Sequence, residues 1–161
     1  MNRFQQDIRL TPSVLDRLLD DDPGRLLEAP ASRSRSIEEL KQSVRRDLEW
    51  LLNTRQNAGG VPPGLKELNH SLAAYGLPDF STFTVKNPAD QVRLQRILQL
   101  AISTFEPRLD NVTVTLVPAR DLEQKLRFRI DGRLKIEPVP EPVTFDTVLQ
   151  AANDQYVVKA E

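Results

Sequence analysis

The order of the hydrophobic periods predicts an α+β fold, with N-terminal helices followed by a C-terminal, mainly antiparallel four-stranded sheet in a single domain. Three observations carry this. Apolar residues recur every three or four positions as far as Phe105, and from Leu109 onward they alternate at a period of two. The chain has 161 residues, 39% of them hydrophobic and 28% charged, which is enough for one core and too little for two.

The elements follow in order. Thr11-Pro12 reads as N-cap and first helical residue, and Val14, Leu15, Leu18 and Leu19 then lie on one face of a short helix. Asp20-Asp21-Asp22-Pro23-Gly24 ends it. From Arg25 to Ser36 the sequence reads as a linker, so residues 1–35 are expected to form an arm of short helix and linker, and 36–161 the α+β domain. Ser36 with Glu39 forms a capping box for a second helix running to about Asn53, with Ile37, Leu40, Val44, Leu48 and Leu51 as its stripe. Trp50 lies at the stripe's edge and is expected to complete the core, with an anchor for a partner as the alternative. Leu65, Leu68, Leu72 and Ala73 suggest a short third helix ended by Gly76 and Pro78. Asn87-Pro88-Ala89-Asp90 starts a fourth, whose broad stripe of Val92, Leu94, Ile97, Leu98, Ala101, Ile102 and Phe105 marks it as the most buried helix.

Val112, Val114 and Leu116 alternate with Thr113 and Thr115 in a first strand. Leu126, Phe128, Ile130, Leu134 and Ile136 keep one parity straight through Asp131-Gly132, so this is read as one long strand and not a hairpin. Two more strands are expected at 143–149 and 155–159.

Composition excludes several function classes. With no Cys there is no disulfide, no thiolate nucleophile and no cysteine-ligated metal. The net charge of −1 is spread evenly, so neither half is a nucleic-acid arm. No apolar run reaches the length of a membrane span, and the first residues lack the apolar stretch of a signal peptide, which points to a cytoplasmic protein. The three adjacent Asp lack the alternate spacing of a calcium loop, and no metal or cofactor is expected. His70, the single histidine, has no recognisable triad partners.

Two constellations remain. Lys125, Arg127, Arg129, Arg133 and Lys135 share one face of the long strand, a stripe suited to an acidic partner or simply to solvent. No aromatic interleaves it, which argues against single-stranded nucleic acid. The second is Glu106-Pro107-Arg108, an acid and a base at a corner where proline forbids the helix to continue. The residues alone leave open a local ion pair or an intermolecular contact. A catalytic acid would want a second carboxylate, which nothing identifies.

Glu106-Pro107-Arg108 between helix and strand resembles the signature of the TssE family, the small baseplate subunit of the bacterial type VI secretion system, similar to a wedge protein of contractile phage tails. Supporting segments are 13–19, 48–55, Tyr75-Gly76-Leu77-Pro78-Asp79 and 141–147, in order along the chain. The resemblance implies a structural, non-enzymatic part of a baseplate wedge, with a fold like that of the phage wedge protein and the sheath's inner domain. It implies as partners the baseplate subunits TssF, TssG and TssK and the sheath proteins TssB and TssC, without nucleic acid or direct membrane insertion, in a baseplate docked at the membrane. It makes the Glu106–Arg108 pair an intermolecular contact more than a buried support, and implies that a sheet edge seeds the sheath by strand pairing. The strand at 155–159, with Val157 at its middle, is the expected edge. The family sometimes carries a lysozyme-like label, so a peptidoglycan hydrolase and a binding module using the basic strand face stand as alternatives. Protein contacts are thus expected at Glu106, Pro107, Arg108, Arg127, Arg129, Arg133 and Val157.

Overall fold

A computed structural model describes residues 13–19, 33–57, 64–80, 83, 87–117, 126–150 and 155–160. Its helices are α1 (Val14–Leu18), α2 (Arg33–Asn53) and α3 (Pro88–Phe105), and its strands are β1 (Leu109–Val117), β2 (Leu126–Leu134), β3 (Glu141–Gln150) and β4 (Gln155–Ala160). The strands form one antiparallel meander in the order β1-β2-β3-β4. α2 lies along β4 and α3 along β1, both on the same side of the sheet, and they touch each other. The expected α+β order of helices and then sheet is therefore what the chain adopts.

One core lies between the layers. Val44, Leu48, Leu51 and Leu52 of α2 and Leu94, Leu98, Ala101 and Ile102 of α3 close on Val114, Phe128, Ile130, Phe145 and Val158 of the sheet. Side chains alternate along a strand, so the opposite sheet face carries Thr113, Thr115 and Arg127, all exposed. β2 pairs with β3 without a break from Leu126↔Leu149 to Leu134↔Glu141, so Asp131-Gly132 is the interior of a strand, as its parity demands. The irregularity sits across from it in β1, where the register shifts between Asp110 and Thr113 and Asn111 takes φ 52°. Asparagine tolerates that left-handed conformation better than most residues.

Several elements differ from expectation. α1 is capped by Ser13, whose side chain accepts from Asp16 N–H while Asp16 accepts from Ser13 N–H; Thr11-Pro12 lies outside the described residues. The four apolar residues of α1 and its end are exposed, from Leu15 at 41% to Leu18 at 76%, so they form no part of the core. α2 begins at Arg33, three residues before the capping box, because Arg33, Ser34 and Arg35 continue the helix backward. The segment after α2 forms two 3-10 turns, Lys66–His70 and Leu72–Ala74, and not one α-helix. A side-chain bond from Ala73 N–H to Ser71 Oγ starts the second turn and breaks the run. α3 starts as expected, with the Asn87 side chain accepting from Ala89 N–H and Pro88 in the first turn. Of its expected stripe Leu94, Leu98, Ala101 and Ile102 are buried, while Val92 is 47% exposed. Trp50 is half exposed and lies against Arg46, with the guanidinium carbon 5.0 Å from the ring centre, so it lines the surface and does not complete the core.

Candidate functional site: a corner knit by an ion network

α3 stops at Phe105 because Pro107 disfavours a helical Glu106, whose N–H makes the last helical bond to Ile102. The chain reverses at Pro107, Leu109 N–H bonds back to Glu106 O, and Lys135 N–H bonds Arg108 O, which ties the corner to the end of β2. Pro107 is exposed, whereas Glu106 retains only 3% of its surface. A carboxylate this buried needs charge-assisted partners.

Arg108 supplies them. Its Nε donates to Glu106 Oε1 at 2.7 Å and its Nη2 to Glu106 Oε2, a bidentate fork. The same guanidinium donates to Asp47 Oδ2 at 2.6 Å and to Ser43 Oγ at 3.1 Å, both on α2. Ser43 Oγ donates to Asp16 of α1 at 2.8 Å, and Arg46 donates to Asp16 and Asp47, each at 2.8 Å. One network thus joins α1, α2 and the α3–β1 corner. Burial pulls the Arg108 pKa down, but the bonds and charges of Glu106 and Asp47 outweigh it and raise it above the ordinary guanidinium value. Arg46 is likewise raised, by Asp16 and Asp47 against burial. Burial raises the Asp16 carboxyl, yet hydrogen bonds from Ser13, Ser43 and Arg46 together with Arg46's charge bring it down to about 2. The Tyr75 phenol beside the network is pushed up by burial and then by Asp47 and Glu106. A cleft of about 420 Å³ opens beside it, lined by Leu15, Trp50, Tyr75, Phe105 and Pro107 along with the network's own side chains.

Glu106 is buried, whereas Arg108 keeps 26% of its side-chain surface exposed; within the chain the pair ties the corner to α2 and, through Ser43, to α1, while Pro107 is exposed and the cleft opens beside it. Sequence reasoning missed Asp16, Ser43, Arg46 and Asp47. Ser43 and Asp47 lie four apart, which puts both on one flank of the α2 stripe, but a polar flank is equally what a solvated helix presents.

The basic face is not a continuous positive stripe. Arg129 pairs with Asp146 at 3.2 Å and Arg133 with Asp110 at 3.4 Å, while Asp131 interrupts the row and accepts from Thr144 at 2.8 Å. Arg127 is exposed and stands in register between Val117 and Val148. Lys125 and the Asp20–Asp22 run lie outside the described residues, and among the described residues no cluster of acidic or histidine side chains could hold a metal. His70 ends an exposed 3-10 turn.

Val157 lies on β4, which is one edge of the sheet, opposite Val148. The edge is not bare. Tyr156 N–H donates to Asn53 Oδ1 at 2.8 Å, Asn53 Nδ2 donates to Tyr156 O at 2.9 Å, and Arg45 donates to Val158 O at 3.3 Å. Main-chain groups in an antiparallel strand alternate in direction, so the groups of Tyr156 and Val158 point outward and those of Val157 point in to β3. A proline at 157 would therefore break the internal ladder and leave the outer edge intact. At the other edge Gln95 donates to Val114 O at 2.6 Å.

Residues 38–139 match the family described as baseplate wedge protein gp25. The chain belongs to that family. Membership carries the structural role that the description names, a part of a baseplate. In a solved structure titled the baseplate complex from the type VI secretion system, one chain aligns at 22% identity with a TM-score of 0.48, covering 71% of this chain and 97% of that one. No curated protein matches the chain significantly.

Proposed function

We propose that this wedge-family chain is the small subunit of a type VI secretion baseplate, joining wedge subunits and seeding the contractile sheath through strand pairing at a sheet edge. The observation that carries the reading is the family match across 38–139, which spans α2, the corner and β2. The partners are TssF, TssG and TssK in the wedge and TssB and TssC in the sheath. The place of action is the cytoplasmic side of a membrane-docked baseplate, and no described helix is long and apolar enough to cross a membrane. The division into a 1–35 arm and a 36–161 domain falls within α2, and of the arm, residues 1–12 and 20–32 lie outside the described residues. Wedge contact falls on Pro107 and the cleft beside it, with Glu106 and Arg108 setting the corner's shape. Arg127 and the paired Arg129 and Arg133 contribute to contact on the outer sheet face.

The chain acts without catalysis in this reading. In the glycosidase alternative a water or sugar must stand between two carboxylates. Here the Arg108 guanidinium stands between Glu106 and Asp47 and donates to both. The mixed charges of the outer sheet face weigh against a module that binds through a basic stripe. The deciding experiment is affinity purification of the tagged chain from cells expressing the baseplate genes, read by mass spectrometry. Wedge subunits should co-purify. Clearing of a cell-wall suspension that is lost in Glu106→Gln would establish the hydrolase instead, and salt-steep retention on DNA would establish the basic binding face.

A further inference from the structure

The outward main-chain groups of β4 are already in use. An added strand would bond the N–H and C=O of one β4 residue with a single residue of its own, and here the Asn53 amide makes both bonds to Tyr156. Arg45 takes the next outward carbonyl, that of Val158. Asn53 is the last residue of α2, and its amide also donates to Glu49 O at 2.8 Å, which holds the side chain in the bonding position. Arg45 is tied back to Gln42 at 3.0 Å and Glu49 at 3.4 Å. Both side chains project from one row of α2, at positions 45, 49 and 53, that faces the strand's edge.

We propose that Asn53 and Arg45 are placeholders for a missing strand: they close the β4 edge in the free subunit and must let go before any strand is added there. The inference rests on the strand-pairing reading above and names its control. A bare strand edge recruits any extended chain, including a second copy of the same edge, and soluble proteins suppress that hazard with covering or charged groups. Side chains suit this better than a packed helix or a proline, because rotation about a few bonds uncovers the edge while the strand's own N–H groups survive for the incoming partner. The two placeholders differ in reach. Asparagine is short, so the end of α2 stands close to Tyr156, whereas arginine is long and can swing clear of Val158. Pairing therefore begins at the Val158–Ala160 end and completes when the Asn53 amide yields its two bonds. Placeholder and incoming strand compete for the same groups, so removing the placeholder strengthens docking. Two neutral hydrogen bonds that no longer have to be broken correspond to about a tenfold gain in affinity.

The test uses the full chain in three variants. Asn53→Ala removes both bonds, Asn53→Asp keeps the acceptor and loses the donor, and Arg45→Met keeps the aliphatic stem and loses the guanidinium. Ala160→Pro removes an outward N–H, by the same alternation, without touching the β3 ladder. Hydrogen exchange reads the Tyr156 amide, and capture of purified TssB–TssC complex reads docking. The expected result is faster Tyr156 exchange in Asn53→Ala, roughly tenfold tighter capture, a smaller gain in Arg45→Met, and loss of capture in Ala160→Pro. Slow Tyr156 exchange in Asn53→Ala would overturn the proposal, because the edge would then be held by something else. Fast exchange with unchanged capture, while Ala160→Pro still abolishes capture, would also overturn it and leave strand pairing standing, since α2 itself and not its side chains would bar the edge. If no variant, Ala160→Pro included, alters capture, strand pairing at β4 fails and the placeholder role fails with it. Should Asn53→Ala unfold, Asn53→Asp, which keeps the Tyr156 N–H bonded and frees only the Tyr156 carbonyl, is read by capture: slow exchange with capture tighter than wild type supports the proposal, and capture no tighter than wild type overturns it.

Discussion

Arg108→Ala is the substitution on which the corner's role turns. The guanidinium meets Glu106 in a bidentate fork, Asp47 at 2.6 Å and Ser43 at 3.1 Å. Removing it leaves the Glu106 carboxylate, of which 3% of the residue's surface is exposed, without its counter-charge, and strips α2 of its tie to the corner. Breaking one partner out of a buried ion pair costs about 3–5 kcal/mol. Arg108 and Asp47 each keep about a quarter of their side-chain surface in water, at 26% and 25%, so the lower end applies, about 3 kcal/mol. A chain of this length loses roughly 2–4 °C of melting temperature per kcal/mol, which gives a fall of about 6–12 °C. Thermal unfolding followed by circular dichroism measures it. Arg108→Lys retains the charge and loses the fork, and should fall between wild type and Arg108→Ala. If Arg108→Ala melts within about 2 °C of wild type yet no longer captures TssF and TssG, the network is not a structural tie. The pair would then serve the interface directly, and the inward reading drawn from its geometry would be refuted.

Other expected outcomes follow from separate parts of the molecule. The Asp16 carboxyl sits at about 2, below its ordinary 3.8, so its stabilisation of α1 is present above the ordinary value and is lost as pH falls through about 2. The single Trp, Trp50, stacks with Arg46 in that network, and its fluorescence should change over this acid range in wild type and not in Asp16→Asn; an identical transition in both would sink the assignment. Gly76 has φ 104°, and a Cβ there would lie 2.5 Å from Thr54 O, so Gly76→Ala should lower the melting temperature by several degrees, while Gly64→Ala, with open space around it, should cost less despite the same φ. Leu48→Ala empties a fully buried position and should cost about 2–5 kcal/mol by urea unfolding. Reversal of the exposed Arg127 to Glu should change stability by no more than about 0.5 kcal/mol, and a larger loss would show that the outer sheet face is packed against something.

What the sequence made legible was whatever repeats. The alternation from Val112 onward identified β1, and unbroken parity through Asp131-Gly132 settled that β2 is one strand, which pairing with β3 bears out along its whole length. Asn87-Pro88 marked the start of α3 because cap and proline are local chemistry. Failures arose where the deciding contact was not periodic. The 3-10 turns after α2 owe their break to one Ser71 hydroxyl, and the apolar residues of α1 look like a core face but stay exposed. Trp50 was misplaced because a position at the edge of a stripe is equally compatible with core and surface until the neighbouring helix is placed. Glu106-Pro107-Arg108 was visible as a motif, yet whether its charges point in or out depends on Asp47, 61 positions from Arg108.

The helix α2 shows why such contacts escape a reading by hydrophobic stripe alone. Val44, Leu48 and Leu51 form its buried centre, and that row was legible. On one flank Ser43, Arg46 and Asp47 reach the corner and α1; on the other Arg45 and Asn53 reach the edge of β4. Both flanks look like ordinary solvated helix surface, because polar residues beside an apolar stripe are what any amphipathic helix has. What distinguishes them is that each faces main-chain or carboxylate groups that the fold leaves without a regular partner: the charge at a forced corner and the outer groups of an edge strand. A four-stranded sheet with two helices on one face necessarily has two edges and a helix-to-strand corner, so those unmet groups are set by topology before any side chain is chosen. The flanks of α2 answer both demands at once. Substitutions on one flank should therefore alter corner stability and leave edge exchange untouched, and substitutions on the other should do the reverse. Additive effects in the double variant Asn53→Ala/Arg108→Ala, in both melting temperature and Tyr156 exchange, would show that one helix serves two independent sites; strong coupling would mean that α2 shifts as a body and that the flanks are one device.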